Sequence, residues 1–153
     1  MAVLSFQQHK IRPPRSEKLF VNVRDSDIAI IIVDHCSRKE EANAMLLKLA
    51  NVYKTYANMK IVEAAHMEMA QPTIADAYKR CVEQGAKHII CHPFFLAPGR
   101  HVQEDIPFLM KEAALEFPHV TYAITAPIGT QNGIIELIDQ SINQLITEGG
   151  GGR

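Results

Sequence analysis

The sequence predicts a single α/β domain: a four-stranded parallel sheet flanked by helices. Three observations predict it. Strand-length apolar runs alternate with helix-length segments four times along the chain. The first such run, Ile28 to Val33, is continuously aliphatic, as befits a strand covered on both faces. Helix start and stop residues bracket the segments between strands, with Pro72-Thr73 before the second helix and Gly85 after it. At 153 residues the chain is one domain, burying roughly two thirds of its unfolded surface.

The elements follow in order. After the first strand and the turn Asp34-His35-Cys36-Ser37, apolar residues at Ala42, Met45, Leu46, Leu49 and Tyr53 keep the i, i+3, i+4 rhythm of one buried helical stripe. A second strand covers about 59–65. Its helix opens with Pro72 in the first turn and stops at Gly85, the natural left-handed cap. A short third strand, about 88–92, ends at Pro93. A loop, 94–100, leads to a helix over 102–117, whose regular part starts at Pro107, since a proline suits only a first turn. The fourth strand is about 120–125, the loop 126–132 follows, and a last helix covers 133–146. Residues 1–26 read as a loosely ordered leader, 27–147 as the domain, and 148–153 as a flexible glycine-rich tail.

Composition excludes several function classes. With 47% hydrophobic and 22% charged residues and a net charge of −1, no global basic field points to nucleic acid or an anionic membrane. The aliphatic run 28–33 is far too short to span a bilayer. Three cysteines, Cys36, Cys81 and Cys91, are odd in number and lack CxxC spacing, which argues against a disulfide framework or a zinc knuckle. A reducing compartment follows: the cytoplasm, with the plastid stroma as the alternative.

Strand–helix alternation also nominates a site. Parallel strands joined by right-handed crossovers gather ligands beyond their carboxyl ends. The first, second and third of those loops carry His35, Glu68 and His101. Two imidazoles and a carboxylate suit Fe²⁺, Co²⁺, Ni²⁺ or Zn²⁺ at a site open enough to pass the ion on. A neutral imidazole, with an ordinary pKa of ~6.5, also accepts protons near pH 7.

Other candidates read more simply. His9 falls in the leader, and His119 precedes the last strand as a structural residue. His88 and His92 share one strand face and suggest packing. His66 supports the site rather than ligating, and Glu63 is a solvated charge. Arg38 and Arg100 each adjoin a candidate histidine and could serve an anionic ligand or simply face water. Cys36 in a strand-to-helix turn invites a nucleophile reading. The Cys-x5-Arg phosphate loop, however, needs arginine where Ala42 stands, and neither GxGxxG nor a P-loop occurs.

The segments IIIVDHCSRKEEAN, EAAHMEMAQPTIADAYKRCVEQGAKHII, HPFFLAPGRHVQEDIP and TAPIG resemble the small class II sirohydrochlorin chelatases over about 28–145, with FFLAPGRHVQEDIP the most specific piece. The resemblance implies a flavodoxin-like fold and a homodimer with its cleft between subunits. It also implies insertion of a divalent metal into sirohydrochlorin, with release of two protons. His35 would bind metal and accept a proton, Glu68 would lie near metal and substrate, and His101 would be the other metal ligand. The stretch Leu96, Ala97, Pro98, Gly99 and Arg100 would touch the macrocycle. Arg38, Arg100 and helix N-terminal amides would orient its carboxylates, and Phe94, Phe95, Leu96 or Met67 would meet its flat face. The AHMEMA second loop is closest to the sirohaem-forming branch and favours iron, with cobalt next and nickel behind. No organic cofactor and no iron–sulfur cluster is implied, since Gly149 to Arg153 offers no ligand.

One departure stands out. The family motif His-Gly-Ser-Arg reads His35-Cys36-Ser37-Arg38 here. If the glycine position needs a positive φ, cysteine strains the loop by ~1 kcal/mol; otherwise the thiolate is an extra ligand. The second case favours a metal carrier or sensor that does not turn over. A third reading, a flavodoxin-like binding domain without metal, lacks any visible phosphate loop.

Overall fold

The computed structural model describes residues 25–148. The expected leader and glycine-rich tail lie almost wholly outside them. A 3-10 turn, Asp25–Asp27, precedes strand β1, Ile28–Asp34. Helix α1, Glu40–Tyr56, leads to β2, Ile61–His66, and α2, Ile74–Glu83, to β3, His88–Pro93. A π-helical turn, His101–Asp105, runs directly into α3, Ile106–Leu115. Strand β4, Thr121–Ile124, a 3-10 turn, Ile128–Thr130, and α4, Gly133–Glu148, complete the chain. All pairings are parallel, in the order β2-β1-β3-β4.

The sheet separates two cores. On one face Ile31, Val33, Ile61 and Ile89 pack against Ile74, Tyr78 and Cys81 of α2 and Ile106 and Met110 of α3. On the other, Ile30, Ile32, Val62 and Ala64 meet Leu46 and Ala50 of α1. Alternate residues of β1 therefore enter opposite cores, which explains its unbroken aliphatic sequence. Among the described residues no helix is long and apolar enough to cross a membrane.

Helix ends differ from expectation in instructive ways. Pro72 lies outside α2. Thr73 is the N-cap, in a reciprocal capping box with Asp76, so the hydroxyl and carboxylate start the helix. Pro72 instead offers its carbonyl to the His66 amide. Gly85, at φ 96°, is the left-handed residue past the α2 C-cap, as the sequence predicts. Pro107 falls in the first turn of the regular helix α3, as the sequence predicts, but a π-helical turn leads into it. The helical turn starts at His101, where the Ile106 amide bonds the His101 carbonyl five residues back, in a wide turn just before a residue that cannot donate.

The apolar stripe of α1 is only half buried. Leu46 and Ala50 enter the core, while Met45 is 66% exposed and Leu49 and Tyr53 edge an open groove. That groove, about 410 Å³, lies on the α1 side of the sheet over β1 and β3. Helix α4 does not fill it. The main tertiary neighbour of α4 is the 128–130 turn from which it departs.

Candidate metal centre

Strand order brings the three nominated loops together. β1 lies between β2 and β3, so the residues just past their carboxyl ends are neighbours in space. One ligand atom each from His35, Glu68 and His101 lies within 4.8 Å of the others. His35 Nε2 is 3.9 Å from Glu68 Oε2. The rings of His35 and His101 meet edge to face with centroids 4.8 Å apart. Ligand bonds near 2.1 Å hold donor atoms within about 4.2 Å of one another, so a small side-chain rotation would close the set around one ion. The side chains are free to make it, with His35 50%, Glu68 48% and His101 40% exposed.

Each histidine has its own support. Nδ1 of His101 lies 2.7 Å from Oδ2 of Asp105, one turn along the π-helical segment. A neutral His101 donating there presents Nε2 as its free lone pair. The loop carrying His35 is pinned on both sides. Asp34 Oδ1 accepts from the Cys36 amide at 3.1 Å, and the same oxygen lies 2.6 Å from Nδ1 of His66. His66 is fully buried and pairs across the sheet with Asp34 in register, so it supports the loop from below. Further along, Asn43 of α1 accepts from the Ser37 amide at 2.7 Å and donates to the Ser37 carbonyl at 2.9 Å. Three side chains, Asp34, His66 and Asn43, thus hold the first loop through four hydrogen bonds.

Cys36 has φ 89°. The position therefore requires the conformation glycine adopts freely, and the first of the two alternatives drawn from the sequence is the one realised. The 4.8 Å cluster comprises the two imidazoles and the carboxylate without this thiol.

The remaining candidates separate. Arg38 borders a 710 Å³ depression between the first and second loops, together with Ser37, Asn43, Leu47, Met69 and Gln71. Arg100 lies near the third loop with its Nε 3.3 Å from Glu104, highly exposed. Leu96 is 76% exposed and Phe94 also reaches solvent, but Met67 is buried in the core and Phe95 packs against it. Met67 and Phe95 therefore belong to the fold rather than to a ligand surface. Glu63 is not a solvated charge: it accepts from Gln84 at 2.7 Å and lies 3.9 Å from Arg80, tying β2 to α2. His88 and His92 place Nδ1 2.6 Å from the hydroxyls of Thr121 and Thr125, across the β3–β4 edge. Burial lowers the His92 pKa, so the ring stays neutral.

Sequence reasoning missed Asp34, Asn43 and Asp105. Asp105 had a usable signal, the His-x3-Asp spacing that puts both side chains on one helical face. Asn43 had none, because its partner is a loop backbone.

The CbiX family model matches residues 29–145. The chain belongs to the CbiX family. As a family member it is 46% identical over 133 residues to the chloroplastic sirohydrochlorin ferrochelatase of Arabidopsis thaliana, covering 86% of this chain and 59% of that one. It is 45% identical over 82 residues to a sirohydrochlorin cobaltochelatase of Methanocaldococcus jannaschii, covering 54% and 57%. The CbiX-family chain spans a little over half the length of these curated relatives. Among solved structures it resembles the sirohydrochlorin chelatase SirB of Bacillus subtilis subspecies spizizenii, in complex with cobalt. That likeness has a TM-score of 0.72 and 27% identity, over 78% of this chain and 51% of that one. A CbiX protein from Marinobacter aquaeolei VT8 matches with a TM-score of 0.69 and 26% identity, over 79% and 98%.

Proposed function

We propose that this CbiX-family chain inserts a divalent metal into sirohydrochlorin, iron first, with cobalt and nickel as alternatives. The observation that carries the reading is the convergence of His35, Glu68 and His101 on one exposed point at the rim of the sheet. Relatives named for ferro- and cobaltochelation of the same macrocycle support it.

Incorporating the ion into the macrocycle requires loss of two pyrrole protons, and the three side chains divide that work. His101, its Nδ1 engaged by Asp105, keeps Nε2 for the ion. Once the ion has passed to the macrocycle, His35 Nε2 is free to take one of the two protons, and the Glu68 carboxylate 3.9 Å away takes the other before both reach solvent. Three ligands at mixed nitrogen and oxygen donors hold the ion without trapping it. The macrocycle lies along the first and second loops, where Arg38 meets its carboxylates, and against Leu96, Ala97, Pro98, Gly99 and Arg100 of the third. Most of the catalysis is then positioning and proton removal. A second copy of the chain closes the cleft, and a reducing compartment, cytoplasm or plastid stroma, suits the three free thiols.

The test is anaerobic mixing of the protein with sirohydrochlorin and Fe²⁺, Co²⁺ or Ni²⁺ in separate reactions. A change in macrocycle absorption faster than the protein-free control is expected, largest with iron. Tight metal binding with no acceleration for any of the three would reject chelation in favour of a carrier.

A further inference from the structure

The third loop leaves β3 and carries residues 96–100, all of them exposed. Its root is nevertheless anchored at three consecutive residues. The Phe94 amide donates to the Val33 carbonyl at 2.7 Å. Phe95 packs against the core, and its carbonyl accepts from the Gly129 amide at 2.9 Å. Leu96 then rests on Gly129 itself: a Cβ added there would overlap the carbonyl group and Cα of Leu96. The third and fourth loops meet at a separation that only glycine allows.

Of the two, the fourth loop is the firmer body. Pro127 is buried, and its carbonyl accepts from both the amide and the hydroxyl of Thr130, at 3.1 and 2.9 Å. The Gln131 amide closes the same turn on the Ile128 carbonyl at 3.0 Å. Leu96, at 76% exposed, is the side that yields. The far end of the third loop is secured independently. The Gly99 carbonyl accepts from the Val102 and Gln103 amides at 3.1 Å, and the Gln103 side chain donates to the Pro98 carbonyl at 2.8 Å. His101 has its own hold on Asp105. A shift at Leu96 therefore dies out before it reaches the ion's ligands.

We propose that Gly129 is a positioning residue for the macrocycle. Its missing side chain lets the third loop settle onto the fourth, and this fixes where Leu96 meets the apolar face of the tetrapyrrole. The inference rests on the chelatase reading above and adds to it a loop that supplies no group to the ion. The first three loops hold the metal, and the fourth sets the seat of the macrocycle. A methyl group at position 129 forces Leu96 back by on the order of 1 Å before van der Waals separation is restored. The contact so disturbed is apolar and is made alike in the bound substrate and in the transition state, so its loss raises KM and spares kcat.

The full chain and its Gly129→Ala variant are compared by steady-state chelation of Co²⁺ into sirohydrochlorin, and by titration with Co²⁺ alone. In the variant, KM for sirohydrochlorin should rise roughly tenfold with kcat within about threefold. Its affinity for Co²⁺ and its circular dichroism should match the parent. Thr130→Val, which loosens the turn without adding bulk at Gly129, should raise KM in the same direction by a smaller factor. Should Gly129→Ala fail to fold, Thr130→Val alone decides, and an unchanged KM there overturns the proposal. A folded Gly129→Ala with the parent's KM overturns it as well, and so does a parallel loss of Co²⁺ affinity, which would make Gly129 a general support of the fold. A parent chain that binds Co²⁺ but never metallates sirohydrochlorin overturns the chelatase reading and this inference together, whereas an active parent with an indifferent variant overturns the inference alone.

Discussion

Asp105 grips His101 from one π-helical turn further along, its Oδ2 2.7 Å from the ring Nδ1. The wide turn and the following Pro107 are two sides of one solution. The segment that aims the imidazole also tolerates a residue without an amide proton. Replacing Asp105 with Ala should weaken Co²⁺ or Fe²⁺ binding by roughly 10–100-fold. Isothermal titration without macrocycle measures it, and Asp105→Glu should recover part of the loss. Unchanged affinity would mean that the carboxylate is ornamental.

His101→Ala should abolish chelation while the fold survives. The residue is 40% exposed at the start of a helix, so its removal leaves no core cavity. Circular dichroism and the macrocycle absorption assay decide the matter together. Full turnover in a folded variant would remove His101 from the mechanism.

Cys36→Gly should stabilise the protein by ~1 kcal/mol, because a side chain at φ 89° is strained and glycine is not. For a domain of this size that corresponds to roughly 2–4 °C in Tm. Differential scanning calorimetry gives the sign directly; a lower Tm would show that the thiol contributes more than the backbone loses.

The three thiols should differ sharply toward a disulfide reagent. Burial pushes Cys81 far above the usual thiol range and Cys91 up to about 12, which keeps both protonated and shielded. Cys36 is half-buried in a loop. One equivalent should react in the native protein and all three in denaturant. Native reaction of more than one would contradict the burial of the other two.

The Thr73 hydroxyl and amide hold the Asp76 carboxyl below its ordinary 3.8. A depressed carboxyl stabilises the fold at pH above the unfolded value, and that contribution is lost as pH falls through the folded value. Asp76→Ala should therefore cost about 1 kcal/mol at pH 7. The gap from the parent should shrink as denaturant unfolding is repeated at lower pH, below 3.8. A gap independent of pH would assign the cost to helix propensity alone.

Much of this arrangement was legible in the sequence because it obeys periodic rules. The aliphatic run 28–33 could only be a strand between two layers, and parallel connectivity then put His35, Glu68 and His101 at one rim. What escaped reading depends on pairs remote in sequence or on backbone geometry. Nothing local says that Asn43 reaches back to Ser37, or that Glu63 belongs to Gln84 rather than to water. The α1 stripe misled for a different reason. Periodicity reports that Leu49 and Tyr53 are apolar on one face, but not which body lies against that face.

Thirty-three residues separate His35 from Glu68, and thirty-three more separate Glu68 from His101. Each donor lies beyond the carboxyl end of a different strand of the β2-β1-β3 run, so no two of them meet until a whole crossover has closed and its strands have paired. An ion that needs all three can engage only chains whose central sheet is complete. Metal-induced resistance to unfolding would then report assembly of the three central strands, in proportion to the ion's affinity.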